Sequence, residues 1–166
     1  MTIAIPEQQL TVAEFRVFGL PASQGSKKYV GRGIMIESSK RLKPWRTDVQ
    51  LAAERAYSGE VISVPVHVNV DFFFARPKSH YRTGKYSDLM KADAPLYAST
   101  HRLGDLDKLL LSTIDALSFV TGGCVIRDDC LVVSLSSTKR YTNAGTPPGA
   151  AIKVSRFEAG VPIMDS

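Results

Sequence analysis

Carboxylates gather at two places along this chain: Asp105 and Asp107 in Gly104-Asp-Leu-Asp-Lys108, and the adjacent pair Asp128-Asp129. Three or four such groups brought to one place would repel one another, and burying them unpaired would be costly. A hard divalent cation removes that conflict. Mg²⁺ is typically held by one or two carboxylates, completed by waters and substrate phosphates. The chemistry that suits this donor set is metal-assisted attack of water on a phosphate ester. Each pair also has a plainer reading, Asp105 as the cap of a helix and Asp128-Asp129 as a surface turn.

Whether the acids can act together depends on the elements that carry them. Leu106, Leu109, Leu110, Thr113, Ile114 and Leu117 recur at helical spacing, which predicts an amphipathic helix over 106–117, closed before Gly122-Gly123. Inside a helix, residues two apart lie about 200° around the axis and could not share a ligand. At a helix entrance the chain is still extended, so Asp105 and Asp107 can converge only because the helix begins there. Asp128-Asp129 stands at the mouth of a strand expected over 125–137, with Leu131, Val133 and Leu135 on one face. The clearest strand is 61–74, where Ile62, Val64, Val66, Val68, Val70, Phe72 and Phe74 form an unbroken apolar face. Pro65 marks an edge or a bulge near its start. Pairing of these two strands would bring the acidic points together, and Asp71, near the end of the long strand, is a further candidate to approach them.

The rest of the chain supplies a strand at 12–18, a weak hairpin strand at 29–36 broken by Gly31 and Gly33, a helix at 45–57 following Pro44, and a last strand at 150–157. This order predicts an α/β (α+β) fold: one domain over 1–166 with a mixed sheet flanked by two main helices. Its core spans 12–158, with 1–10 and 159–166 as flexible ends. Residues 75–104 form a long irregular connection, and loops of that length are usually functional or disordered.

Composition narrows the partners. With 166 residues, 44% of them hydrophobic and 22% charged, the chain can bury a core, and wholesale disorder is excluded. No apolar run approaches the ~20 residues that span a bilayer, and the opening MTIAIPEQQL does not resemble a secretory signal. Two cysteines are too few for a disulfide framework or a four-ligand zinc site, so a reduced cytoplasmic compartment is expected. The net charge is +5 and unevenly placed. Lys27, Lys28, Arg32, Lys40, Arg41, Lys43 and Arg46 crowd 23–46, against Glu37. Arg76, Lys78, Arg82, Lys85, Lys91 and Arg102 occupy 76–104, against Asp88 and Asp93, leaving 8 of the 21 cations and 13 of the 16 anions for the rest. Aromatics interleave with these cations (Tyr29, Trp45, Tyr81, Tyr86, Tyr97), a pattern suited to phosphates and unpaired bases, or alternatively to a solvated loop.

The acidic segments also carry a family resemblance. Gly104-Asp-Leu-Asp-Lys-Leu-Leu-Leu-Ser-Thr-Ile-Asp-Ala-Leu117, followed by Val125-Ile-Arg-Asp-Asp-Cys-Leu-Val132, resembles the RusA-like Holliday junction resolvases. In that family a D-x-D-N/K-L stretch ending in D-A-L precedes a D-D. Gly19-Leu-Pro21, Lys43-Pro44-Trp45-Arg46, Arg76-Pro-Lys-Ser-His80 and Ala94-Pro95 agree with it, the last as in phage-borne members. The resemblance implies a homodimeric endonuclease that resolves four-way and other branched DNA with Mg²⁺ or Mn²⁺. It assigns the acidic site to Asp105, Asp107 and Asp129, with Asp128 as a turn residue or a helper. Asp115, two turns inside the helix, reads as structural.

One departure concerns a lysine. Some members carry it four residues after the second Asp, where this chain has Leu111, and here Lys108 stands instead. Positions 108 and 111 lie about 300° apart on a helix, on neighbouring faces. Helical side chains lean toward the N-terminus, so either would bring an ammonium to the same entrance; Lys108 is expected to neutralise charge on the phosphorane, with Arg102 or Lys139 next in line. DNA contact is expected from Lys27, Lys28, Arg32, Lys40, Arg41, Lys43, Arg76, Lys78, Arg82, Lys85 and Arg102. His67, His80 and His101 read as solvated or DNA-contacting, and Cys124 and Cys130 as small buried fillers. The rivals to the nuclease reading are a branched-DNA binding protein that has lost cutting and a structured-RNA nuclease.

Overall fold

A computed structural model describes residues 9–25, 27–37, 39–143 and 145–157, with the backbone alone at 27, 28 and 35–37. At its centre is strand β4, Val66–Phe74, in which Val66, Val68, Val70 and Phe72 are fully buried while His67, Asn69, Asp71 and Phe73 are half-buried. Three strands join it: β1 (Gln9–Phe18), β5 (Val132–Tyr141) and β6 (Gly149–Phe157), in the order β1-β6-β4-β5. β5 runs parallel to β4, whereas β6 is antiparallel to both β4 and β1, so the sheet is mixed. The apolar side of the sheet meets helices α1 (Leu42–Ala56) and α2 (Leu106–Leu117) in one cluster that includes Val17, Trp45, Val49, Val70, Phe72, Leu109, Leu117, Ile152 and Val154. This is the α+β domain expected from the element order.

The helices are joined by more than apolar contact. Trp45 Nε1 donates to Thr113 Oγ1 at 3.1 Å, and that hydroxyl donates to Leu109 O at 2.8 Å, all in the buried interior. A large aromatic ring is tolerated there because its one polar atom has an acceptor. Ser112 Oγ likewise donates to Ala22 O at 2.7 Å, which fastens the chain leaving β1 to the buried side of α2.

Several boundaries differ from the sequence pattern. The strand expected from residue 61 begins at Val66, after Pro65, whose missing N–H cannot extend a ladder. Ile62 instead bridges Ile126 separately, its N–H bonding Val125 O at 2.9 Å. The strand expected over 125–137 runs from Val132 to Tyr141, because Asp129–Leu131 coil into a 3-10 turn. Val133 and Leu135, expected to share one face of that strand, are 61% and 48% exposed, on a strand at the edge of the sheet. The first helix starts at Leu42, with Pro44 inside its first turn, where an N–H would have no intrahelical partner. Gln9 and Leu10, expected in a flexible end, belong to β1; the rest of that expectation, for 1–8 and 159–166, falls outside the described residues, as does residue 158.

The weak strand expected over 29–36 is instead mostly a turn: β2 (Lys27–Tyr29) and β3 (Met35–Glu37) pair antiparallel on either side of Gly31, Arg32 and Gly33, all at positive φ. The long connection 75–104 is folded. Tyr81 bridges Met90, Arg82 N bonds Leu89 O at 2.8 Å, and Lys91 N bonds His80 O at 2.9 Å, which makes a small projecting hairpin. Cys130 is exposed and Cys124 half-buried, so neither is the buried filler expected. Burial, and then the charge of Glu54, raise the Cys124 thiol above its ordinary range.

Thr113→Val removes the acceptor of Trp45 Nε1 and strands a buried donor. It should cost about 1–3 kcal/mol, which for a chain of this size lowers the melting temperature by about 2–4 °C per kcal/mol. Thr113→Ser, which keeps the hydroxyl, should recover most of the loss in the same circular-dichroism melt.

Candidate active site

A parallel β4–β5 pair requires the chain to travel back across the sheet, and α2 makes that return. Its first turn therefore lies at the end where both β4 and β5 finish. Lys139, in the last turns of side chains along β5, donates its Nζ to Gly104 O at 2.6 Å and ties the residue before Asp105 to the sheet. Gly104 has φ +86, and a Cβ there would stand 3.0 Å from Ser23 Oγ, so both conformation and space select glycine. On the other side Gln24 N bonds Lys108 O at 3.2 Å.

At this entrance Asp105 occupies the N-cap position in extended geometry, φ −80 and ψ 143, and makes no side-chain capping bond. The plain reading of Asp105 as a capping carboxylate thus has the position right and lacks the bond. Its carboxylate is exposed and pairs at 3.4 Å with Lys108, both side chains being more than half exposed. Asp107, also exposed, follows in the first turn. Two carboxylates and an ammonium therefore share one end of α2, open to solvent. Leu111, at the alternative lysine position, is 45% exposed.

The second acidic point follows α2 in the chain. Asp128 precedes a 3-10 turn and accepts from Cys130 N at 3.3 Å. A hydrogen bond with Asp129, then the Cys130 amide, holds Asp128 below the ordinary carboxyl range. The same bond raises Asp129, with burial and the charges of Asp128 and Asp115 adding to it. Asp129 thus senses Asp115, which is ion-paired with Arg46 of α1. Asp107 and Asp115 are eight residues apart, roughly 12 Å of helix axis. Among the described residues, no group of three or more His, Cys, Asp or Glu comes together to hold a metal ion. Asp71 does not approach the acids: it alternates with buried Phe72 and points to the opposite face, accepting from Thr138 at 2.6 Å and Asn69 at 3.3 Å. His67 joins that polar face through Ser134 and Ser136.

The donors at the α2 entrance are nonetheless all hard oxygens, the type a Mg²⁺ or Mn²⁺ ion takes, and two carboxylates are as many as Mg²⁺ usually asks of a protein. A third oxygen, Gln24 Oε1, is buried without a hydrogen-bond partner in the segment that bonds Lys108. Nothing in the sequence singled out Gln24 or the Lys139–Gly104 bond, since each joins residues tens of positions apart.

The basic residues divide in two. Lys78, Arg82 and Lys85 on the projecting hairpin, Lys40, Arg41 and Lys43 around the start of α1, Arg32 in the β2–β3 turn and Arg102 are exposed. The side chains of Lys27 and Lys28 lie outside the described residues. Arg76 is turned inward: its guanidinium donates to Thr142 O at 3.0 Å and Pro95 O at 2.7 Å, and lies over the Tyr141 ring. His80 packs edge-on against the same ring.

A family model described as endodeoxyribonuclease RusA matches residues 19–155. The chain belongs to the RusA endodeoxyribonuclease family. That match covers both acidic segments, the two helices and the projecting hairpin, and the family's chemistry is hydrolysis of DNA, in general with a divalent metal. No curated protein matches the chain by sequence. Among the described residues no helix is long and apolar enough to cross a membrane.

Because Asp105 makes no capping bond, Asp105→Ala should change stability by less than the roughly 1 kcal/mol that loss of a capping side chain usually costs. A urea melt of both proteins checks this; a loss at or above that size would make Asp105 a structural cap.

Proposed function

We propose that the chain is an endodeoxyribonuclease that resolves Holliday junctions and related branched DNA by symmetric cuts, using Mg²⁺ or Mn²⁺. The observation that carries this reading is the uncapped Asp105 carboxylate beside Asp107 and Lys108 at the open mouth of α2, in a chain of a nuclease family. Asp105 and Asp107 would hold the ion, which when bound lowers the pKa of a water and polarises the phosphoryl oxygen. The protein's own residues do the rest. Lys139 fixes the Gly104 carbonyl, and with it the peptide that carries Asp105. Lys108, exposed and paired to Asp105 at the surface, would turn toward charge that builds on the phosphorane. Asp129, with Asp128 as its hydrogen-bonded helper, is the third acid of the proposal, and its part is read separately by Asp129→Asn, since it lies beside Asp115.

The projecting hairpin and the start of α1 supply the grip on DNA: Lys78, Arg82, Lys85, Lys40, Arg41 and Lys43, with Lys27, Lys28, Arg32 and Arg102 as the further cations of the proposal. Arg76 is left out of that group, since its donors are engaged within the protein. A two-fold homodimer suits a junction, which offers two symmetric strands.

Labelled four-way junction, plain duplex and structured RNA, each incubated with Mg²⁺ and then with EDTA, test the reading. The nuclease cuts the junction only with metal, in paired positions. Junction binding without cutting would favour a non-catalytic binding protein, and cutting of the RNA alone would favour an RNA nuclease. Within that assay Asp107→Asn should abolish cleavage and leave junction binding intact or tighter, because an anion has been removed near phosphate. Lys108→Ala should slow cutting by about 10²-fold, as loss of an oxyanion donor does, and adding Leu111→Lys should restore part of the rate. Replacing Lys78, Arg82 and Lys85 together with Ala should flatten the log–log salt dependence of junction binding by roughly 0.9 for each phosphate no longer neutralised. An unchanged slope would make the hairpin a solvated connection.

A further inference from the structure

Directly beside the α2 entrance is a cavity of about 270 Å³. Gly104, the neighbour of Asp105, forms part of its wall, so whatever enters it lies next to the carboxylates. Leu20, Phe74 and Leu103 give it apolar walls, and Arg41 and Arg102 give it two exposed guanidiniums. Among the described residues no carboxylate lines it. Leu20 is 61% exposed although it lies against this concavity, so an apolar surface stands open to solvent there.

We infer that this cavity receives one unpaired nucleotide from the branch point, its base against Leu20, Phe74 and Leu103 and its phosphate on Arg41 and Arg102. The inference rests on the junction-nuclease reading and adds a nucleotide subsite to it. Size argues for a single nucleotide. Pockets for drug-sized ligands run roughly 300–1,000 Å³, and a duplex about 20 Å across cannot enter a smaller one. Chemistry argues the same way. A base has an apolar face that stacks on apolar and aromatic side chains whatever its sequence, while guanidinium groups take phosphate oxygens in paired hydrogen bonds. Extrusion costs least where a base is already unpaired or poorly stacked, which is the condition at a strand exchange point. Holding that nucleotide would set the neighbouring phosphodiester before Asp105 and Asp107. Position along the strand would then be fixed by the branch point, with arm contacts supplying affinity.

Abasic scanning tests this. Junctions carrying a single abasic nucleotide at each position flanking the cut are titrated with the full chain in EDTA, so that binding is read without cleavage. One position should weaken wild-type binding about tenfold, the rest by less than twofold. Leu20→Asp and, separately, Arg102→Ala should weaken binding of the intact junction. With Leu20→Asp the penalty at that one position should fall to less than twofold, because the base has already lost its wall. Both residues are exposed, so the variants should fold, and a circular-dichroism melt verifies it. A flat abasic profile in a wild-type protein that binds and cuts the junction with Mg²⁺ overturns the subsite and leaves the nuclease reading standing. A penalty that persists undiminished in folded Leu20→Asp overturns it too, by locating the base elsewhere. Failure of the wild type to bind any junction overturns the nuclease reading, and the subsite with it.

Discussion

The parallel pairing of β4 with β5 is the constraint on which the architecture turns. Two parallel neighbours cannot be joined by a tight turn, so the chain must cross the sheet and come back. The apolar face of β4 then demands that the returning segment bury a matching stripe, and α2 does so with Leu109 and Leu117 fully buried. Once that helix is seated, the position of its first turn is no longer adjustable. Asp105 and Asp107 stand where they do because the sheet has that order, and the Lys139–Gly104 bond and the packing of Ser23 against Gly104 fix the last degrees of freedom.

The same geometry divides the acids into two electrostatic settings. At the entrance, Asp105 and Asp107 are exposed, with Lys108 close to one of them. Beyond the far end of α2, Asp128 and Asp129 hydrogen-bond each other, one carboxyl lowered and the other raised. Asp115, within reach of Asp129, is neutralised by Arg46, which also binds α1 to α2. Carboxylates of one residue type thus come to differ through what stands beside them.

Much of this was legible in the amino-acid order. Period-2 and helical spacing located β4 and α2, because both are buried on one face and their patterns are unbroken. The apolar spacing put the helix entry at Asp105 or Asp107, and the structure places the cap position at Asp105. What the pattern could not convey was depth and partner. Val133 and Leu135 repeat with the period of a strand face, yet they stand exposed on an outermost strand, and strand order in the sheet is a long-range property. Likewise Asp128-Asp129 reads as an approach to Asp105, a long-range relation that local pattern does not fix, whereas the 3-10 turn that Asp128 opens before β5 is a local one. Pro65 and the 129–131 turn moved two strand starts by several residues, as local breakers do when a neighbouring segment can bridge without them. Arg76 looked like any other cation in a basic run, and only its acceptors on Thr142 and Pro95 reveal its inward turn.

That inward turn has a consequence for how the projecting hairpin meets a large polyanion. A loop of this length would ordinarily sample many shapes, and each residue fixed on binding would cost roughly 1–2 kcal/mol of backbone entropy. Arg76 clamps the root to Thr142 and Pro95, residues 96–98 add backbone bonds to the end of β5, and the Tyr81–Met90 bridge closes the stem. Most of that ordering is therefore complete before any partner arrives. The cations at the tip would meet a polyanion as a rigid comb, and attraction would not be consumed in taming a disordered strand.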